Sequence, residues 1–585
     1  MARETRFWHL TTRWNDEVSH DCPLSEYPRP QFMRPGWLCL NGMWSYGVFP
    51  EDQTPERLTE KILVPFSPET ALSGASRGPK ANERAWYSRR FRLPAGFMKD
   101  RLLLNFGAVD QLCEIFINGR SAGYHEGGYT PFTLDITPLV DVNGENTVTV
   151  AVSDRTANGA AAYGKQSETP GTIWYTAQSG IWQTVWLESV PEKYISSIRI
   201  TPVPEKRKVV LQLPDACEGD MFAILAEGKK LHVGHFDADG HAEVTLENCV
   251  LWSPEQPFLY DLILKRGRDL IKCYFAMRSI KAENGRLYLN GEPIFLTGLL
   301  DQGYWPESLY TPPTDAAMIF DIETAKGMGF NVLRKHMKVE PLRWYYHCDR
   351  LGMLVWQDFP NGGNPYSFLW TAALPSFLGL QLSDAKAARF GRREERGRRQ
   401  FLREAEDIVS TLYNSPSVIC WTLFHEGWGQ FGADALTKTV RRWDGTRLID
   451  QASGWHDQHG GDFCSRHTYF LKPRVRRDKR VQALTEFGGY NLKVAGHTYT
   501  AKEMGYKKMK NRTELAVELE KLYRSQILPL KAKGLCACIY TQLTDVESEM
   551  NGLLTWDRDI VKVDAARMQA LNALLKAPVS PERSK

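Results

Sequence analysis

From about residue 280 onward, short apolar runs alternate with helix-prone stretches, and this rhythm constrains the fold more than any other feature of the chain. Eight runs read as strands: 293–300, 331–336, 353–359, 418–426, 448–455, 465–470, 481–486 and 536–543. Helix-prone segments, among them 315–328, 341–351 and 401–413, lie between several of them. Eight parallel strands with intervening helices make a (β/α)8 TIM barrel, and residues 280–585 are enough to build one. Strands four and seven have unusual ends. Each is apolar, then closes on a glutamate with glycine just beyond: Glu426-Gly427 and Glu486-Phe487-Gly488. A charged group is costly to bury unpaired, so two such ends in one half of the chain imply carboxylates converging at the barrel's C-terminal mouth. A facing carboxylate pair is the equipment of glycoside hydrolysis. The alternative is that each glutamate only pairs with an arginine such as Arg334.

Upstream, residues 1–190 read as all-β. Alternating runs such as 101–106, 112–117 and 146–152 are separated by turn signals, including Asn118-Gly119 and Asn143-Gly144. This spacing predicts a β-sandwich or β jelly roll. A break at Val190-Pro191 opens a second β-rich piece, 191–279, of the length of an immunoglobulin-like β-sandwich.

The formal net charge of +4 over 585 residues gives no reason to expect nucleic acid or a membrane as partner. Eleven cysteines show no metal-type spacing and fit reduced thiols. With no apolar leader in the opening residues, a cytoplasmic enzyme is expected. The arginine-rich run 389–403 reads as a solvated helix face or as a surface for an acidic partner. Strand ends supply further mouth candidates: Arg334 and His336 on strand two, Asp358 on three, Trp455 on five, His467 and Tyr469 on six, Tyr540 and Gln542 on eight. Asp358 could grip sugar hydroxyls or cap a helix. Trp455 could stack on a sugar or fill the core, and Tyr540 and Gln542 could face the core instead.

Across nearly its full length the chain resembles glycoside hydrolase family 2. The likeness rests on Gly127-Gly-Tyr-Thr-Pro-Phe132, Ser179-Gly-Ile-Trp-Gln-Thr-Val-Trp-Leu-Glu188, Leu289-Asn-Gly-Glu-Pro-Ile-Phe-Leu-Thr-Gly298, Gly329-Phe-Asn-Val-Leu-Arg334 and Thr485-Glu486-Phe487-Gly488. The resemblance implies that Glu426 is the acid/base and Glu486 the nucleophile, with Arg334 supporting the nucleophile and Tyr469 hydrogen-bonding it. One departure stands out: His425 occupies the position where the family usually carries the asparagine that holds the sugar 2-hydroxyl. The Asn-x-Lys motif of the glucuronidase branch is absent after strand eight; Asn491-Leu492-Lys493 follows strand seven instead. The Glu-Tyr-Ala-His pattern of the large β-galactosidases is missing too. The implied activity is a retaining exo-β-glycosidase, β-galactosidase-like first, with β-glucuronidase, β-galacturonidase, β-mannosidase and α-L-arabinofuranosidase as alternatives. It would act on a small oligosaccharide or glycoside, need no cofactor or metal, and form a homo-oligomer. A sugar-binding barrel without turnover is the reading His425 keeps open. A metal-dependent hydrolase finds no His-x-His on strand one to support it.

Overall fold

A computed structural model describes residues 10–155, 161–500 and 502–578. The first unit is a jelly-roll sandwich of two antiparallel sheets. One has four strands, in the order Trp37–Cys39, Val185–Val190, Arg101–Phe106 and Phe132–Asp135. The other has six: Glu60–Val64, Gly42–Pro50, Glu83–Phe91, Asn146–Ser153, Leu112–Ile117 and Arg120–Glu126. Period-two patterning builds the core: Val148, Val150 and Val152 turn inward while Thr147 and Thr149 stay half-buried. They meet Trp44, Tyr46, Tyr87, Leu104 and Ile115. Asn118 (φ 52°) and Gly119 (φ 78°) both lie in the left-handed region, as a tight two-residue hairpin requires.

The second unit has seven strands in sheets of three and four, around a core of Val209, Leu211, Ile224, Leu262 and Ile271. A buried ion cluster pins it to the jelly roll. Glu188, fully buried on a jelly-roll strand, accepts from Arg29 at 2.7 Å and Arg34 at 2.8 Å, and Arg34 reaches on to Asp269 of the second unit at 3.1 Å.

The barrel strands, one to eight, are Leu296–Asp301, Val332–Lys335, Leu354–Asp358, Val418–Thr422, Leu448–Asp450, Phe463–Thr468, Val481–Gly488 and Leu535–Thr541. All pair in parallel in the order five, four, three, two, one, eight, seven, six, and only five and six share no ladder, so the barrel is nearly closed. Strand one begins later than expected because Glu292–Pro293 belongs to a small antiparallel sheet with Ile280–Glu283 and Arg286–Leu289. Its Ile280, Leu287 and Leu289 pack on Leu296, Val332, Trp356 and Ile539. Strands four and five are shorter than expected, so Glu426 and Trp455 lie four and five residues past their strands, on loops.

The helices follow the amphipathic stretches. Asp315–Gly327 is capped by Thr314, and Leu342–Leu351 ends on left-handed Gly352. Glu395–Leu412 buries Phe401, Ala405, Ile408, Val409 and Leu412. Its arginines turn outward: Arg396 and Arg403 pair with Glu126 of the jelly roll and Arg399 with Glu395. Most of the arginine-rich run is therefore a solvated face; Arg392 is the exception, buried over the Phe401 ring and donating to Asn361 O. Among the described residues, no helix is long and apolar enough to cross a membrane.

Candidate active site

The mouth of the barrel is built by sharp turns after its strands. Beyond strand four the chain bends so that Glu426 adopts φ 50° and its N–H donates to Ser453 O at 2.9 Å. Gly427 follows at φ 79°; a side chain there would lie 2.6 Å from the His456 ring, so only glycine fits. A non-glycine residue held left-handed stores strain of about 1–3 kcal/mol, and the tight packing around this turn sustains it. Glu486 needs no such turn, because it lies on strand seven itself.

These two elements bring a carboxylate oxygen of Glu426 and one of Glu486 within 4.8 Å of each other, with a ring nitrogen each of His425 and His467 in the same group. His467 Nδ1 is 2.7 Å from Glu426 Oε1 and 3.5 Å from Glu486 Oε2. Its Nε2 is 3.0 Å from Ser453 Oγ. Tyr469 donates its hydroxyl to Glu486 Oε2 and lies 3.0 Å from Thr541 Oγ1. Arg334 sits beneath. It donates to Asp358 at 3.0 Å and to Thr485 O at 2.9 Å, and its Nη1 lies 3.5 Å from Glu486 Oε1. Asp358 also holds His336 Nδ1 at 2.7 Å. Glu486 Oε1 and His336 Nε2 are buried without a hydrogen-bond partner; both are polar atoms that a sugar hydroxyl could satisfy.

The environments of the two glutamates differ. Burial pushes Glu426 up to about 7, against the opposing pull of Lys165 and Arg334. Burial also raises Glu486, and the charge of Glu426 adds to this, while His467 and Arg334 pull it back. Three buried histidines surround the pair, and desolvation keeps them neutral: His336 falls to about 3, His467 to about 4, and His425 well below its ordinary value. The neutral His467 ring can donate from Nδ1 to ionised Glu426 or accept there from protonated Glu426.

His425 is anchored by its backbone N–H to Asn361 Oδ1 at 2.7 Å, and its Nδ1 lies 3.2 Å from Arg334 Nη2. Its ring is clasped by His336 at 4.2 Å and Trp428 at 4.6 Å. It therefore lies in the wall of the site, as a residue reading the sugar would. Trp455 stands at the rim, 6.2 Å from the His467 ring. Two candidates lie elsewhere. Tyr540 points outward into the layer between strands and helices, against Phe487, because Ile539 and Thr541 take the inward positions of strand eight. Its hydroxyl accepts from Tyr490 N–H. Gln542, past the strand end, is held by Gln302 at 2.8 Å and Asn551 at 2.9 Å.

The jelly roll supplies site residues that strand-end reasoning missed. Tyr175 donates to Glu549 at 2.5 Å, Thr176 N–H donates to Glu547 at 2.7 Å, and Trp174 packs on Trp428 at 4.8 Å. Lys165, buried, lies 4.0 Å from Glu549. They sit more than two hundred residues from either glutamate, and no strand end or motif marks them.

His425, Glu426, His467 and Glu486, and likewise His336, Asp358 and His425, are close enough to share an ion. The Arg334 guanidinium already lies against both sets and supplies the positive charge a metal would bring. The donors therefore fit a metal poorly and a proton-transfer pair well.

Comparison with known proteins identifies the domains that carry this site. Residues 70–191 match the family model for the sugar-binding domain of glycosyl hydrolases family 2, and residues 280–489 match that for the family's TIM barrel domain. A β-galactosidase of Lactococcus lactis is 27% identical over 471 residues, covering 73% of this chain and 43% of its own. A putative β-glucuronidase of Formosa agariphila is 24% identical over 371 residues, covering 58% and 40%. The chain thus spans roughly two-fifths of the length of these relatives. Among solved structures, a β-glucuronidase of an uncultured Clostridium superposes with a TM-score of 0.73 at 17% identity, over 92% of this chain and 97% of its own. A β-galacturonidase of Eisenbergiella tayi gives 0.66 at 17% identity, over 92% and 97%. Together the two domain matches and the shared architecture place this chain in glycoside hydrolase family 2.

Proposed function

We propose that the protein removes terminal β-linked sugars from the non-reducing end of small glycosides or oligosaccharides, with net retention of configuration. The observation that carries this reading is the approach of the Glu426 and Glu486 oxygens to within 4.8 Å. The facing oxygens are thus closer than the about 6.5–9.5 Å that an inverting pair keeps between its carboxyl groups to admit water, which supports direct attack. Glu486 attacks the anomeric carbon as the bond to the leaving oxygen breaks, and Glu426 gives that oxygen its proton. Water then attacks the glycosyl-enzyme, Glu426 takes the water's proton, and Glu486 is released. Arg334 and Tyr469 steady the negative charge of Glu486 in both steps. These steps need no cofactor, and a cytoplasmic homo-oligomer is the proposed setting.

A β-galactoside is the first choice of glycone, in line with the names of several relatives. One observation favours a second, a β-uronide: Lys165 places an ammonium in the wall near the carboxylates. The test is hydrolysis of aryl β-galactoside, β-glucoside, β-mannoside, β-glucuronide, β-galacturonide and α-L-arabinoside by the wild-type protein, Glu426→Gln and Glu486→Gln. Glu486→Gln should lose turnover of every member. Glu426→Gln should lose about 10²–10⁴-fold on poor leaving groups and far less on activated ones, because only the former need a proton. Tight sugar binding without turnover by the wild type would instead make this a binding protein.

A further inference from the structure

Against the expectation drawn from the small net charge, which averages over the whole chain, we propose that the face around the active-site mouth docks on an anionic lipid surface. The loop after strand three carries a helical segment, Leu369–Ala373 running on into Leu374–Leu378. Phe368, Trp370, Phe377 and Leu378 stand out from it, and Phe470 and Leu471 stand out from the loop after strand six; all six are more than half exposed. The two loops form one patch, because the Phe377 and Phe470 rings stack at 5.8 Å. So large an exposed apolar patch marks an interaction surface.

Charge identifies the occupant. The stretch after Leu471 exposes Lys472, Arg474, Arg476, Arg477 and Lys479. Its single acid, Asp478, is tied to Arg480 at 2.7 Å. These cations border the apolar helix: a side chain built on Gly379, at the helix end, would lie 3.9 Å from Arg476 Nη2. From Gly363 to Phe390 the one acid is Asp384, which is buried. Aromatic and leucine side chains beside a cluster of lysines and arginines match an anionic bilayer surface. A second copy of this chain in a two-fold contact would bring the same cations against each other, which disfavours that occupant. A small leaving group could not cover six large side chains.

The patch is continuous with the site. Phe470 lies 5.3 Å from Tyr506, Tyr506 stacks on Tyr469 at 3.7 Å, and Tyr469 holds Glu486. Both loops follow the C-terminal ends of strands, so docking turns the mouth toward the lipid. That glycosides anchored in lipid would then be the substrates rests on the function proposed above; the docking itself does not.

The test is flotation of the full chain with vesicles of phosphatidylcholine alone or with about a third phosphatidylglycerol. Wild type should float with the anionic vesicles and not with the neutral ones, and added salt should weaken it. Phe377→Ser/Leu378→Ser and Arg476→Glu/Arg477→Glu should each reduce binding about ten-fold or more while leaving the melting transition in place. No flotation by the wild type would overturn the proposal. So would a dimer that the Phe377→Ser/Leu378→Ser variant dissociates without any lipid binding, since the patch would then belong to a second copy. A raised KM for apolar leaving groups, again without flotation, would make the patch a leaving-group subsite and equally overturn it.

Discussion

At the scale of single residues, the pH profile should report the glutamates. With Glu426 held at about 7 by burial, the acid form that starts the reaction is lost as pH rises through about 7, so kcat/KM should fall there. Ionised Glu486 sets the acidic limb. Tyr469→Phe removes a hydrogen bond that favours the charged form, so that limb should move to higher pH and kcat should fall about ten-fold or more; an unmoved limb would mean the bond does not govern the ionisation. His425→Asn is the change most specific to this chain. The shorter amide abandons the contacts with Arg334 and the neighbouring rings, and a 2-deoxy substrate should feel the substitution less than its parent does. Equal effects on both substrates would show that His425 does not read the 2-position.

At the scale of elements, the turn after strand four is the sensitive joint. Gly427→Ala would put a methyl group against the His456 ring in a backbone conformation that alanine resists. Activity should drop sharply while the melting temperature shifts by only a few degrees. All eight barrel strands were legible from apolar runs, and both glutamates from the cost of ending such runs on a charge. The places where sequence reasoning missed share a physical cause. Periodicity shows that residues alternate but not which face they take, so it left Tyr540 open between the mouth and the core, and packing puts it in the core. An apolar run does not reveal where a ladder stops, so strands four and five were drawn too long, through Leu423-Phe424 and Ala452. Lys165, Trp174 and Tyr175 are joined to the barrel only by tertiary packing, which leaves no local signal.

At the scale of the whole molecule, Glu188 is the test of how the units hold together. Glu188→Ala would leave Arg29 and Arg34 facing an empty buried space, and should cost about 3–5 kcal/mol in chemical denaturation. Burial alone would raise its pKa, but the two arginines outweigh burial and hold it near 2, below the ordinary carboxylate value of about 4.3. The unfolded chain therefore takes up the proton first on acidification. The stabilisation is present above about pH 4.3 and is lost as pH falls toward 2. Wild type should lose stability across that window more steeply than Glu188→Ala.

The jelly-roll segment that carries Lys165, Trp174 and Tyr175 to the barrel mouth makes the pocket the joint property of two bodies. A ligand filling that pocket binds neither body alone, so by mass action it acts as a clamp between them. Thermal unfolding should become more concerted when an inhibitor is present, and the jelly roll, which holds neither Glu426 nor Glu486, should gain protection from hydrogen exchange.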